Sequence, residues 1–308
     1  MRRSAGSRTG SVRVETDGLT PGIYTLRLQA GGAVLARRVV IEQGYCLPQQ
    51  PVLLRVMRYF LHFAYDGTRY HGWQVQPNTL TVQAEVDRCL TQVLRQPIHS
   101  LGSGRTDTGV HASHQVAHFD AELPEALTLD LLLYRLRRAL PTDIAALRLH
   151  PVADDAHARF SAEERTYDYF VLTPQPDPFR RDHALHLDRP PDVAAMNEAA
   201  SYLIGQFDFT SFSKVKGGVD HYICRCYEAG WHAAPGGLVF RIRANRFVRG
   251  MVRLVVGTLL DVGRGKMTPR QFQELLWAQR RVDAGGAAPA RGLFLSKVAY
   301  EPGVVPVE

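Results

Sequence analysis

Cysteine is scarce in this chain, with four (Cys46, Cys89, Cys224 and Cys226) among 308 residues. That is too few for a disulfide framework, and Cys224-x-Cys226 lacks the two-residue gap of zinc knuckles and redox motifs. A reducing, cytoplasmic setting is the expectation. Long apolar runs are also missing. The longest, around Met251 to Leu260, is broken by Arg253 and stopped by Asp261, well short of the roughly 20 residues of a membrane span. Residues 1–10 are small and basic with no apolar stretch, which reads as a disordered tail rather than a secretory signal. Compositional bias is absent too: 45% apolar and 22% charged residues are ordinary globular values, excluding collagenous and low-complexity classes for most of the chain. At roughly 150 residues per domain, a chain of this length predicts two domains or one domain of two similar halves.

What is present begins with charge. The formal excess is +7 over the whole chain, and its location matters more than its sum. Residues 1–56 hold eight arginines against Glu15, Asp17 and Glu42, a local excess of +5, which leaves only +2 for the remaining 252 residues. A polyanionic partner therefore has to be argued from local clusters. Within this first stretch Tyr24, Leu26 and Leu28 alternate with small or polar neighbours, Gly31-Gly32 offers a turn and Val34 to Ile41 forms a second apolar run. Together these predict a β-hairpin. The run from Leu19 to Leu28, with Gly31-Gly32 and Arg37 to Ile41, resembles the C-terminal sorting domain of type IX secretion substrates. Tyr45 to Val56 carries no pattern, after which Met57-Arg58-Tyr59-Phe60-Leu61 opens a strand as an enzyme would. The expectation is that residues 1–56 are a non-native or disordered extension created by a misplaced start.

From Met57 onward, strand-like runs occur at Tyr59–Tyr65, Gln115–Phe119, Arg165–Leu172, Tyr227–His232, Leu238–Ala244 and Leu293–Tyr300. Helical runs alternate with them. Thr81 to Leu94 puts Val82, Val86, Leu90, Val93 and Leu94 on one face, and Asp192 caps a helix carrying Met196, Ala199, Ala200 and Leu203. Thr268-Pro269-Arg270-Gln271 is a capping box with proline at the first helical position. The grammar is α+β, with antiparallel or mixed sheets covered by helices. The proline-rich stretch 174–191 divides it into halves 57–173 and 174–308.

The densest chemical signal is Gly102-Ser103-Gly104-Arg105-Thr106-Asp107-Thr108-Gly109-Val110-His111-Ala112. Three glycines around one carboxylate suit a loop that projects Asp107 into a cleft, with Arg105 nearby to keep it ionised. A tight turn in which Asp107 bonds its own backbone is an equal reading. A dinucleotide fingerprint is not, because the position of its third glycine is Asp107 itself. His111, His114 and His118 have no metallohydrolase spacing, and on a strand His111 faces away from the other two. Tyr167 and Tyr169 share a strand face, which suits either core packing or stacking on an extruded base, and Arg165 beside them suits a phosphate. Asn245 to Arg253 reads as the start of a helix with Arg246, Arg249 and Arg253 in one basic stripe. Lys214, Lys216, Arg264, Lys266, Arg280 and Arg281 add the positive charge that following a phosphate backbone requires.

In their order these segments resemble the tRNA pseudouridine synthase A (TruA) family from Met57 to Tyr300. The resemblance is carried by Phe63-Ala64-Tyr65-Asp66-Gly67-Thr68 with Gly72-Trp73-Gln74, by Gly104-Arg105-Thr106-Asp107-x-Gly109-Val110-His111-Ala112, and by Arg165-Thr166-Tyr167. Asp208-Phe209-Thr210-Ser211-Phe212, Asn245-Arg246-Phe247 with Met251-Val252-Arg253, Gly257-Thr258-Leu259-Leu260-x-Val262-Gly263 and Ala288-Pro289-Ala290-x-Gly292-Leu293 continue it. Thr108 stands where the family usually has alanine. The resemblance implies a pseudouridine synthase fold of two similar halves around a central RNA-binding cleft. It further implies isomerisation of uridines 38, 39 and 40 in the tRNA anticodon arm by a homodimer, with no metal or cofactor. Asp107 is then the catalytic carboxylate, Tyr167 lies against the flipped uracil, Arg253 pairs with Asp107, Arg105 sits near the vacated stack, and Leu293 packs at the site wall. Arg165, Arg246 and Arg249 join them as substrate-binding residues. A catalytically silent RNA-binding module is the alternative that loss of Asp107 would not disturb.

Overall fold

The computed structural model describes residues 22–30, 33–41, 56–124, 126–214, 221–279 and 285–305, the first two stretches as backbone alone. The chain divides into two compact units, Met1–Leu53 and Leu54–Glu308. In the first, β1 (Gly22–Ala30) and β2 (Ala33–Ile41) pair antiparallel from Gly22↔Ile41 to Ala30↔Ala33, the hairpin that the alternation predicts.

The second unit runs β3 (Met57–Tyr65), α1 (Val82–Leu94), β4 (Leu101–Gly102), β5 (His111–Ala121), α2 (Leu129–Ala139), β6 (Ile144–Val152) and β7 (Ala162–Leu172). It continues through β8 (Leu185–His186), α3 (Val193–Ser201), β9 (Gly205–Asp208), β10 (Ile223–Ala234), β11 (Gly237–Ala244), α4 (Met251–Gly263), α5 (Pro269–Ala278) and β12 (Leu293–Tyr300). Their strands form one 10-stranded mixed sheet in the order β6-β3-β5-β12-β7-β11-β10-β9, with β4 on β5 and β8 on β7. The seam is the last strand. β12 pairs parallel with β5 through Phe294↔His111 and Leu295↔Ala112, and antiparallel with β7 from Leu293↔Tyr169 to Tyr300↔Ala162. The chain's end thus joins the strand that follows the Asp107 loop to the strand that carries Tyr167.

Helix starts follow local chemistry. Thr81 accepts from the Ala84 amide to open α1, Asp192 accepts from Ala195 to open α3, and Thr268 with Gln271 forms both halves of the capping box of α5, with Pro269 in the first turn. These side chains satisfy amides that the helix itself cannot. α1 packs on α2 and α2 on β6, while α3 packs on α4, α5 and β10, so each side of the seam has its own helix group. α4 is apolar nearly all round and buried along its length, from Met251 and Val252 through Leu259 to Val262, as a helix enclosed on every side must be.

One expectation fails here. α4 does not begin at Asn245: it begins at Met251, after Gly250 at φ 75. The Asn245 side chain instead accepts from the Arg225 amide, and the Met251 amide closes a turn on the Val248 carbonyl. Residues 246–249 are therefore non-helical, and a 3.6-residue period does not relate Arg246 and Arg249 to Arg253.

Candidate active site

Asp107 lies in the loop between β4 and β5, and the surrounding chain holds that loop by its backbone. The Trp73 amide donates to the Thr106 carbonyl at 3.2 Å and the Gly109 amide to the Tyr70 carbonyl at 3.2 Å. Gly72 makes this possible. It sits at φ 88, and a Cβ there would come within 2.5 Å of the Thr106 oxygen and 3.2 Å of the Asp107 carbonyl carbon, so only glycine lets the two segments meet. From below, the buried Tyr65 and Thr106 hydroxyls share a hydrogen bond of 2.8 Å. Gln115 accepts from Ser103 Oγ at 2.5 Å and donates to the Gly104 carbonyl at 3.2 Å. Of the two readings of this loop, the turn is closed by the Val110 amide on the Asp107 carbonyl at 3.1 Å. The carboxylate is left for other partners.

Those partners are cations. Lys214 Nζ lies 3.3 Å and Arg253 Nη1 3.5 Å from Asp107 Oδ2, and no described residue bonds Oδ1. Arg253 is itself locked: Nε donates to the Ala288 carbonyl at 2.7 Å while the Ala288 amide donates to the Arg253 carbonyl at 2.8 Å. The Ala288-Pro289-Ala290 motif thus orients the guanidinium that orients the carboxylate. Two cations meet one oxygen of a carboxylate that is only 22% exposed, and they leave Oδ1 free as nucleophile or base. Arg105, expected to fill this role, is exposed and takes no part in an ion pair among the described residues.

Tyr167 is buried on β7 with its ring edge-on to Phe247, centroids 5.1 Å apart at 87°. Burial pushes its phenol up to about 12, with Asp107 nearby raising it further and Arg165 pulling it down. It therefore stays a neutral ring with a polar tip at any physiological pH. Tyr169 is wholly buried and donates to the Pro289 carbonyl at 2.9 Å, so of the two same-face aromatics it is core. Leu293 is buried and faces Tyr169 across the ladder, while Leu295 faces Tyr167.

Arg165 occupies a different place from the phosphate site expected of it. Its Nη1 donates to the carbonyls of Ala162 (2.7 Å) and Asn245 (2.9 Å), and Nη2 to those of Ser103 (3.0 Å) and Arg159 (2.5 Å). A guanidinium has five N–H donors, and four of these are spent on backbone. Arg165 is a strut tying β4 to the turns around β7 and after β11. Arg246 contacts His221 at 3.2 Å, and Arg249 is exposed with its carbonyl accepting from the Lys214 amide at 3.0 Å. Arg105 and Arg249 are exposed and Arg246 is half-buried, and none of them belongs to a helical stripe. Lys216, Arg280 and Arg281 lie outside the described residues.

The histidines divide as their strand positions require. His118 Nδ1 accepts from the Ala158 amide at 3.1 Å and His114 Nε2 lies 2.8 Å from His62 Nδ1. His111 joins Asp66 and His183 in the one group of potential metal-binding atoms within 4.8 Å of one another among the described residues. Each donor atom there is already engaged. His111 Nδ1 accepts from the Gly67 amide at 3.0 Å with Nε2 on the Asp182 carbonyl at 3.0 Å, and Asp66 is held by Thr68 and by His183 Nε2 at 2.8 Å. Burial raises the Asp66 carboxyl, but the hydrogen bonds from Thr68 and His183 outweigh it and bring it down to about 2. The group braces the Asp66 turn against β5 and the 177–186 connection.

Sequence reasoning missed Gln115, the Tyr65–Thr106 pair, the Ala288 carbonyl and the direct contact of Lys214 with Asp107. Lys214 carried a signal only as one cation among many, and Tyr65, Thr106 and Ala288 only as members of the motifs that carry the family resemblance.

Comparison with known proteins settles the family. Residues 199–301 match the family model described as tRNA pseudouridine synthase. The chain is 45% identical over 251 residues to tRNA pseudouridine synthase A of Parabacteroides distasonis, spanning 82% of this chain and 99% of that protein. The chain belongs to the tRNA pseudouridine synthase A family. The protein of that name from Bacteroides fragilis is 46% identical over 80% of this chain and 98% of its own length, and that of Bacillus subtilis 42% identical over 80% and 100%. The expected pseudouridine synthase fold stands, realised as the mixed sheet described above. The resemblance of residues 19–42 to a type IX sorting domain is not borne out: these comparisons support the synthase family and not that module.

Proposed function

We propose that the protein isomerises uridine to pseudouridine in the anticodon arm of tRNA, at positions 38, 39 and 40. The observation that carries this reading is the carboxylate of Asp107, held at one oxygen by Arg253 and Lys214 and open at the other, beside the neutral phenol of Tyr167. In the reaction the N1–C1′ bond breaks, uracil rotates, C5 bonds to C1′ and releases its proton, and N1, which kept the electron pair of the broken bond, takes up a proton. A carboxylate fixed at one oxygen serves as nucleophile toward base or sugar, or removes the sugar proton in an elimination route. The base must leave the stem, at a cost of a few kcal/mol, which stacking on Tyr167 and phosphate contacts of Arg105, Arg246 and Arg249 offset.

Both halves are needed. Residues 57–173 carry Asp107 and Tyr167, and residues 174–308 supply Lys214 and Arg253, so the activity is assigned to 57–308. The family resemblance adds a homodimer whose cleft takes the tRNA. The buried, free thiols of Cys89, Cys224 and Cys226 suit a reducing cytoplasm; Cys46 lies outside the described residues.

The test is tritium release from tRNA labelled at uracil C5, with chelator present, using the full chain and Asp107→Asn. Release by the parent and none by the variant is expected. A folded parent that binds tRNA and releases nothing overturns the assignment in favour of the silent RNA-binding module.

A further inference from the structure

The two cations on Asp107 Oδ2 are held in opposite ways. Arg253 is 19% exposed, sits in the first turn of α4 and is pinned to Ala288 through both side chain and backbone. Lys214 is 41% exposed, and its ammonium contacts nothing but Asp107 among the described residues. Its stem runs across Gly250, where a Cβ would lie 3.0 Å from Lys214 Cγ, 3.2 Å from Cε and 3.3 Å from Cδ. Any other residue at 250 would crowd that path. The Lys214 amide donates to the Arg249 carbonyl, so this lysine links the carboxylate to the segment that carries the exposed Arg249.

The local charge is unbalanced. Among the described residues no second carboxylate pairs with Lys214 or Arg253, so two positive charges face one negative. A bound phosphate would restore neutrality. Of the two, Lys214 is free to meet it: an ammonium on a flexible stem is a movable point charge, whereas a locked guanidinium is not.

We infer that Lys214 is an exchangeable counterion, paired with Asp107 in the free protein and transferred to an RNA phosphate when substrate enters. This rests on the reading above of Asp107 as the reacting carboxylate in an RNA cleft. In the free protein both cations shield Oδ2. In the complex Arg253 alone orients the carboxylate, and Lys214 anchors the strand whose base is being extruded.

The test is the salt dependence of tRNA affinity for the full chain, read by fluorescence anisotropy with an unmodified tRNA transcript. Parent, Lys214→Ala, Asp107→Asn and the double variant are compared. Lys214→Ala is expected to make the log Kd against log salt line shallower by about 1, and Lys214→Arg to restore it. Asp107→Asn is expected to tighten binding roughly 2- to 5-fold, the worth of releasing a half-exposed ion pair, and to lose that gain when Lys214 is also alanine. A slope unchanged by Lys214→Ala, or tightening by Asp107→Asn that persists without Lys214, overturns the exchange. Tritium release by the parent is scored separately: the assigned activity stands or falls on release, and the counterion exchange on the slope and the coupling.

Discussion

The cations of the second unit fall into two sets, and they are built for different work. Arg165 and Arg253 spend their donors on backbone carbonyls: four for Arg165, and Ala288 for Arg253. Lys214, Arg249 and Arg105 keep theirs at the surface. A guanidinium fixed by several carbonyls holds chain segments in place at any salt concentration, because buried pairs are poorly screened. A surface cation contributes chiefly once a phosphate arrives, and that contribution falls as salt rises. The same residue type is thus frame in one place and recognition in the other, and what separates them is whether backbone oxygens converge on the side chain.

The comparison can be broken most decisively at its centre. Asp107→Asn should abolish tritium release, by on the order of 10⁴-fold or more, while circular dichroism and tRNA binding show an intact fold. Next comes the frame. Arg165→Met leaves four carbonyls without their donor and is expected to lower the unfolding free energy in urea by about 2–4 kcal/mol; an unchanged midpoint would return Arg165 to the surface set. Tyr167→Leu should cut kcat/KM by about 1–3 kcal/mol, the worth of one base–aromatic stack, with Tyr167→Phe retaining most of the activity.

Acid sharpens the contrast further, because the sheet buries histidines such as His62 and His118. Burial is the main cause that lowers His62 to about 3, with His114, His150 and Arg148 adding repulsion, and His118 falls to about 4 through burial and its neighbour His157. Below a pH of about 6.5 the unfolded chain takes up protons that these folded imidazoles refuse. Their contribution to stability is complete above that pH and is lost as pH falls toward 4 and 3. Urea midpoints measured from neutral to acid pH should fall through this window, and less steeply in His62→Leu. The smallest effect belongs to the surface set: Arg249→Ala should leave the urea midpoint within about 0.5 kcal/mol and reduce the salt slope of tRNA binding by about 1.

Much of the fold was legible because it is written in short-range chemistry. Thr81, Asp192 and Thr268 start helices by bonding amides three residues on, and β3, β5, β7, β10, β11 and β12 follow runs of apolar residues. α2 and β6 were not legible. In α2 only Leu132 and Leu136 are buried, too narrow a stripe among Arg135, Arg137 and Arg138 to stand out, and β6 mixes polar and apolar residues without a clean alternation. The arginine stripe was misread because a 3.6-residue period was run through Gly250, whose left-handed backbone ends the non-helical segment before α4.

At the site, the glycine-flanked motif made Asp107 a candidate with a self-bonded turn as an equal reading, and the family resemblance singled it out. Which cations hold it was not contained in that motif. Arg105 is two residues away in sequence and takes no part, while Lys214 is 107 residues away and lies 3.3 Å from the carboxylate. Local sequence determines backbone conformation, caps and strand periodicity, since those depend on sterics and hydrogen bonds within a few residues. The pairing of Asp107 with Arg253 was implied by the family resemblance, whereas the contact of Lys214 with Asp107 and the use of Arg165 as a strut were decided only by the tertiary structure, because ion pairs depend on distance in space, and sequence separation does not set that distance.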